Sequence, residues 1–223
     1  MKPNSLLFIF SMFFVIACNN SSGDNSANSD STNQKTDSET STSTEPLPSN
    51  VKVDSALFNK VLSHKNISFT ITAKGKGSLQ QLTIQPSGLT GDNRVIELET
   101  DPVTDAQITD LNADGYPELL VFTQSAGSGS YGKVIAYSVN NGKSVSTVTF
   151  PPPSENSKIN KGYMGHDKFT IENNQLIQTF PVYQEGDANS KPTGKDRIVS
   201  YRLKNGEASR IFEVNKVREV EHK

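Results

Sequence analysis

The chain has 223 residues, with 22 Lys and Arg against 24 Asp and Glu, a formal net charge of −2, one Cys and no Trp. A single cysteine makes neither an internal disulfide nor a thiolate zinc cluster, and the balanced charge gives no basic field to hold a nucleic acid. His64, His166 and His222 lie far apart, and no HExxH or His/Cys spacing links any two of them, which argues against a zinc hydrolase.

Lys2 precedes an apolar run, residues 6–17, in which Ser11 alone is polar, and Ala17 leads directly into Cys18. This pattern reads as a signal peptide, because the run falls short of the roughly 20 residues a bilayer crossing needs. A small residue before the sole cysteine resembles the bacterial lipobox, in which Cys18 is acylated and becomes the mature N-terminus. Its acyl chains would hold the protein at a membrane surface. An ordinary secretory signal with an incidental cysteine is the alternative. Asn19 stands where an inner-membrane retention signal would have Asp, so the expected location is the cell envelope, on the outer membrane, facing either the periplasm or the surface. From 19 to 50, Ser, Thr and Asn supply 20 of 32 residues and only Ala27 and Leu47 are apolar, so this stretch cannot bury enough surface to fold and reads as a solvated tether. The remaining 173 residues, 51–223, carry 20 basic and 19 acidic side chains and read as a single β-rich domain.

The domain opens ambiguously. Asp54 fits as the cap of a short helix with Leu57, Phe58, Val61 and Leu62 on one face, but the same residues fit a bent edge strand. After it, Ile67, Phe69 and Ile71 alternate with Ser68, Thr70 and Thr72, and β-branched runs continue at 82–84, 95–98, 118–123, 133–139, 144–150, 169–171, 176–183, 198–203 and 208–214. Asn141-Gly142, Asn173-Asn174 and Asn205-Gly206 fall between such runs and supply the positive φ values that tight hairpins need. The expected fold is all-β, an antiparallel sandwich or barrel of about 8–10 short strands.

Two connections stand out. Asp110, Asn112, Asp114, Tyr116 through its carbonyl, and Glu118 place oxygens at alternate positions, with Gly115 at the turn. Calcium loops use this spacing, although Val121 occupies the place of an EF-hand's bidentate acid. The same residues also suit an Asx-rich turn whose carboxylates accept backbone N–H bonds. No cofactor is otherwise called for. The second connection, Thr123-Gln124-Ser125-Ala126-Gly127-Ser128-Gly129-Ser130-Tyr131-Gly132, is longer and richer in glycine than the two to five or so residues a hairpin needs. Gly127, Gly129 and Gly132 permit close backbone approach, Ser125, Ser128 and Ser130 offer hydroxyls, and Tyr131 supplies a rigid amphipathic anchor. No Gly-Lys-Ser/Thr and no strand–turn–helix elbow accompanies it, which argues against a phosphate loop and a serine nucleophile.

The stretches 125–132 and 110–119, with Gly162-Tyr163-Met164-Gly165-His166-Asp167, Phe180-Pro181-Val182-Tyr183 and Pro192-Thr193-Gly194, resemble the periplasmic inhibitors of invertebrate-type (I-type) lysozyme, the PliI family, over about residues 57–214. The resemblance implies an antiparallel β-fold that pushes the 125–132 loop into a lysozyme's substrate cleft to protect the cell wall. Ser128 and Tyr131 match the principal inhibitory pair. It implies an inhibitor and no catalysis. Tyr163, Met164 and His166 are candidates for a secondary contact, and a homodimer stays open. Lys195 departs from the pattern, standing where another glycine is expected after Gly194. A lysozyme cleaves with two carboxyl groups in a cleft shaped for sugar hydroxyls, which a hydroxyl-bearing loop without a glycosidic bond can imitate. Two readings compete with this one. A calcium-dependent adhesion or carbohydrate-binding module would use 110–118. A hydrolase would need His166, a carboxylate such as Asp167 and a serine to converge.

Overall fold

The computed structural model describes residues 57–221; the expected signal peptide, Cys18 and the expected tether fall outside them. The described residues form twelve strands and one 3-10 turn, Pro153–Glu155. The strands are β1 (Phe58–His64), β2 (Ile67–Lys74), β3 (Gln80–Ser87), β4 (Ile96–Thr100), β5 (Val103–Thr109), β6 (Glu118–Gln124), β7 (Gly132–Asn140), β8 (Ser144–Thr149), β9 (Lys168–Glu172), β10 (Gln175–Pro181), β11 (Asp196–Asn205) and β12 (Arg210–Val220). Of the segment that read equally as helix or edge strand, residues 58–62 lie in strand β1, and Asp54, the expected cap, lies outside the described residues. This strand pairs antiparallel with β2 from Phe58 opposite Ala73 to His64 opposite Ile67.

Strands β1 to β4 make a four-stranded meander, and the other eight make one sheet in the order β5-β6-β7-β8-β12-β11-β10-β9. That larger sheet is two antiparallel meanders, β5 to β8 and β9 to β12, joined by a short parallel seam in which Arg210 and Ile211 pair with Val148 and Thr149. The sheet curls into a half-barrel that brings β9 back over β6, so that the Phe122 and Phe169 rings stack with centroids 5.8 Å apart.

Two cores follow from this curl, and β6 belongs to both. Leu119 and Val121 point toward the small sheet, where they pack with Phe69, Ile71, Leu82 and Ile84. Leu120 and Phe122 point the other way, into the half-barrel with Leu176, Phe180, Val199, Tyr201 and Phe212. A strand covered on both faces needs apolar residues at every position rather than at alternate ones, which is why 119–122 reads Leu-Leu-Val-Phe without a polar break. Each such side chain, fully buried, stabilises the fold by about 1.5–3 kcal/mol. β2, covered on one face only, keeps its alternation: Ile67, Phe69, Ile71 and Ala73 are buried, and the residues between them are partly exposed.

Tight turns fix the registers. Asn141 and Gly142 (φ 50° and 67°) and Asn173 and Asn174 (φ 49° and 57°) are left-handed pairs, as the sequence predicts. Asn205-Gly206 instead begins a wider loop, closed by the Gly206 N–H donating to the Ser209 carbonyl at 2.9 Å.

Candidate functional site

The connection between β6 and β7 is a finger rooted in the most completely buried of the described strands. Its own bonds shape it. The Ser125 N–H donates to the Tyr131 carbonyl and the Ser130 N–H to the Gly127 carbonyl, each at 2.9 Å. The Ser125 hydroxyl oxygen accepts the Tyr131 N–H at 2.9 Å, so this serine closes the hairpin. Ser130 takes a positive φ of 43° at the turn.

The glycines play different parts. Gly132 is buried at the root, where a Cβ would lie 2.8 Å from both the Asp167 Cβ and the Phe169 ring. It serves packing within the protein rather than approach by a partner. At Gly129 a Cβ would collide with the Tyr131 ring, while at Gly127 it would meet nothing within 4 Å.

Two distant loops brace the finger. From the β8–β9 connection, the His166 N–H donates to the Gly129 carbonyl at 2.8 Å and to the Ser130 carbonyl at 3.1 Å. Gly165 (φ 89°) presses so closely that a Cβ there would strike the Gly129 carbonyl oxygen. From the β10–β11 connection, the Asn189 side-chain amide donates to the Ser128 carbonyl at 2.6 Å. Asp187 organises that second loop by accepting the Gln184 N–H at 2.7 Å and the Thr193 N–H and hydroxyl, each at 2.8 Å. These bonds to the ionised form hold its carboxyl below the usual range. Lys195 does not disturb the loop: Gly194 fits tightly against the Val182 carbonyl, while the Lys195 side chain turns outward to Glu221 at 2.7 Å.

What the finger shows to solvent is uncharged. Ala126, Gly127 and Ser128 are exposed, and Tyr131 keeps 43% of its surface open. Among the described residues, neither the Ser128 hydroxyl nor the Tyr131 phenol has a hydrogen-bond partner, so both are available to another molecule. Tyr131 stands edge-on to Tyr163 at 5.8 Å, and Tyr163 in turn to Phe180 at 4.8 Å, so the exposed ring leans on an aromatic stack running into the core. Met164 is exposed at 39% beside them. An apolar hollow of about 380 Å³, lined by Tyr131, Ile135, Phe150, Pro152 and Tyr163, opens against the same ring.

His166 and Asp167 diverge. The His166 ring stacks on Tyr183 at 6.1 Å with Nε2 3.4 Å from Asn189 Oδ1, whereas Asp167 is buried and its carboxylate faces Gly132, Tyr163 and Gln178. The acid/base pairing that a hydrolase would need is not what these two residues form. Burial pushes the Asp167 carboxyl up and, together with that carboxylate, the Tyr163 phenol up.

The stretch 110–118 is a closed turn. Asp110 accepts the Asp114 and Gly115 N–H groups, Asn112 Oδ1 also accepts the Asp114 N–H, Asp114 accepts the Tyr116 N–H, and Glu118 accepts the Leu111 N–H. Cations already face it. Arg210 lies 2.6 Å from Asp114 and 3.5 Å from Glu118, and Lys65 donates to the Gly115 carbonyl at 2.8 Å. Among the described residues no three His, Cys, Asp or Glu side chains group as metal ligands would. The arrangement is the Asx-rich turn, and nothing in it favours the calcium-dependent adhesion module.

Gln124, Gln178, Asp187 and Asn189 are supports that a reading of the sequence passes over, and Asp167 stands out there only as a hydrolase's carboxylate. Gln178 carried a usable signal, being a polar residue at an inward position of an alternating strand.

The model of the family described as periplasmic lysozyme inhibitor of I-type lysozyme matches residues 68–158. No curated protein and no solved structure matches the chain. The matched stretch runs from β2 past the 3-10 turn and contains both the finger and the 110–118 turn, so the resemblance that those residues carry is borne out there. The bracing residues Gly165, His166 and Asn189 lie beyond it.

Proposed function

We propose that this protein is an inhibitor of I-type lysozyme that acts by placing the 125–131 finger in the enzyme's substrate cleft. One observation carries the reading: a neutral loop, held on three sides by its own molecule, presents the unpartnered hydroxyls of Ser128 and Tyr131 to solvent. The family match supports the choice of partner.

The chemistry follows from the target. Glycosidases of this kind place two carboxyl groups about a scissile bond. The Ser128 hydroxyl donates to the ionised carboxylate, a bond worth about 1.5–3 kcal/mol, while Tyr131 fills a sugar subsite and donates from its phenol. No bond in the finger resembles a glycosidic linkage, so the cleft is filled and nothing turns over. The bracing lowers the ordering cost of binding, which a free seven-residue loop would meet in full. Tyr163 supports Tyr131 from behind, and Met164 and His166 flank the contact. Acylation of Cys18 would hold the inhibitor at the outer membrane on a tether of roughly 30 Å root-mean-square span, where it shields the peptidoglycan.

The test is an inhibition assay with residues 51–223. The domain is expected to slow cell-wall lysis by an I-type lysozyme, with chicken-type and goose-type enzymes run in parallel as controls. Ser128→Ala combined with Tyr131→Ala should fold normally and inhibit at least about a hundredfold less, in line with the loss of two such bonds. Unchanged potency would remove the finger from the mechanism.

A further inference from the structure

We propose that Asp167 is the positioning residue of the inhibitory finger, fixing from inside the half-barrel both the root of the finger and the aromatic support behind Tyr131. The inference rests on the inhibitory reading above and extends it to a residue that never meets the lysozyme.

Asp167 is 3% exposed. Its Oδ2 accepts the N–H of Gly132, the first residue of β7, at 2.8 Å, and the Tyr163 phenol at 2.8 Å. Its Oδ1 accepts the Gln178 side-chain amide at 2.6 Å, and Gln178 in turn accepts the Tyr201 phenol at 2.5 Å. The Asp167 carbonyl accepts the Gln124 amide at 3.3 Å, and that amide also donates to the Ser130 carbonyl at 2.8 Å. One residue thus touches both roots of the finger, Gln124 on β6 and Gly132 on β7, and holds the ring on which Tyr131 leans. All of its side-chain partners donate to it, and its two oxygens are shared among three N–H and O–H groups, with Gly132 and Tyr163 on the same oxygen.

A buried carboxylate is costly, and an apolar residue of similar volume often serves packing as well or better. What the apolar residue cannot do is orient Gly132 and Tyr163 together. The charge is not what positions them: the Asn amide oxygen can accept from both, while its NH2 faces a Gln178 amide that turns over against the Tyr201 hydroxyl, which accepts as readily as it donates. Asp167→Asn is therefore the conservative rescue and Asp167→Leu the disrupting change.

The experiment has two readouts on residues 51–223, both taken where each variant is fully folded. The first is amide hydrogen exchange of the free protein, with no lysozyme present. Asp167→Leu should speed exchange at Gly132, Ser130 and His166 by about tenfold or more while leaving β2 and β3 unchanged. The second is the dissociation constant for an I-type lysozyme, which should rise by about tenfold or more in Asp167→Leu, equivalent to about 1.4 kcal/mol, and stay near wild type in Asp167→Asn. Leu82→Ala, in the core under the small sheet, is the control for general loss of stability and should destabilise the fold while keeping wild-type finger exchange and potency. Wild-type exchange and potency in Asp167→Leu would overturn the inference, as would equal weakening by Leu82→Ala. If Asp167→Leu does not fold, Tyr163→Phe removes a single oxygen from the same cluster; a several-fold loss of potency with faster Gly132 exchange supports the assignment, and no change in either overturns it. A wild-type domain that inhibits no lysozyme defeats the functional reading alone, and the exchange data then decide the role of Asp167.

Discussion

A Cβ added at Gly127 enters open solvent, whereas one added at Gly165 strikes the Gly129 carbonyl from a backbone already at positive φ. The two glycines therefore predict opposite outcomes. Gly127→Ala should leave the unfolding midpoint unchanged or raise stability by about 0.4–1 kcal/mol through the unfolded chain, and under the proposed mechanism should still weaken inhibition, because its methyl would stand between the finger and the cleft wall. Gly165→Ala should cost about 1–3 kcal/mol in urea unfolding and displace the finger. In the sequence nothing separates the two, since composition marks glycine-rich stretches without saying which glycines serve the protein's own packing. Gly165 lies about forty positions downstream of the finger, and only the fold brings residues 162–167 to it.

At the scale of an element, the 110–118 turn shows what local spacing reveals and what it hides. Asp110, Asn112 and Asp114 at alternate positions are visible in the sequence and do form an Asx turn. The Arg210 guanidinium that faces Asp114 and Glu118 comes from β12 and has no local signature. Glu118 is fully buried, and that burial raises its carboxyl above the ordinary value despite bonds from Ser138 and Leu111 and the nearby arginine. A carboxyl raised on folding makes the native state bind its proton more tightly than the unfolded chain. Its contribution is therefore greatest below the ordinary glutamate range and is lost as pH rises through the folded-state value. Glu118→Gln should flatten that fall as pH rises above the ordinary glutamate range, measured by urea unfolding at a series of pH values. Arg210→Met, which leaves two acids facing each other without their cation, should cost about 2–4 kcal/mol at neutral pH. β1 teaches the same lesson: the spacing of Leu57, Phe58, Val61 and Leu62 satisfies a helix face, and only the partner strand β2 decides against it.

Over the whole molecule, the all-β class, most strands and two of the three tight hairpins were legible, because alternation and Asn-Gly chemistry are local. β5, Val-Thr-Asp-Ala-Gln-Ile-Thr, escaped because its polar residues sit at an edge of the large sheet, and β12 runs six residues beyond the stretch its apolar pattern marks. The division into two cores was not legible, since the run 119–122 says that both faces of β6 are covered without saying by what. Neighbouring leucines on that strand test the division. Leu119→Ala and Leu120→Ala should each cost about 2–5 kcal/mol. Hydrogen exchange should place the loosened amides in the small sheet for Leu119 and in β9 to β12 for Leu120.

The parallel seam between β8 and β12 joins the two meanders through only two residue pairs. The finger grows from one meander, while Asp167, Gln178 and Asn189 reach it from the far side of that seam or from the segment leading there. A mild denaturant that parts the seam would leave most strands intact and still blunt the weapon, so potency should fade before the circular-dichroism signal of the sheets does.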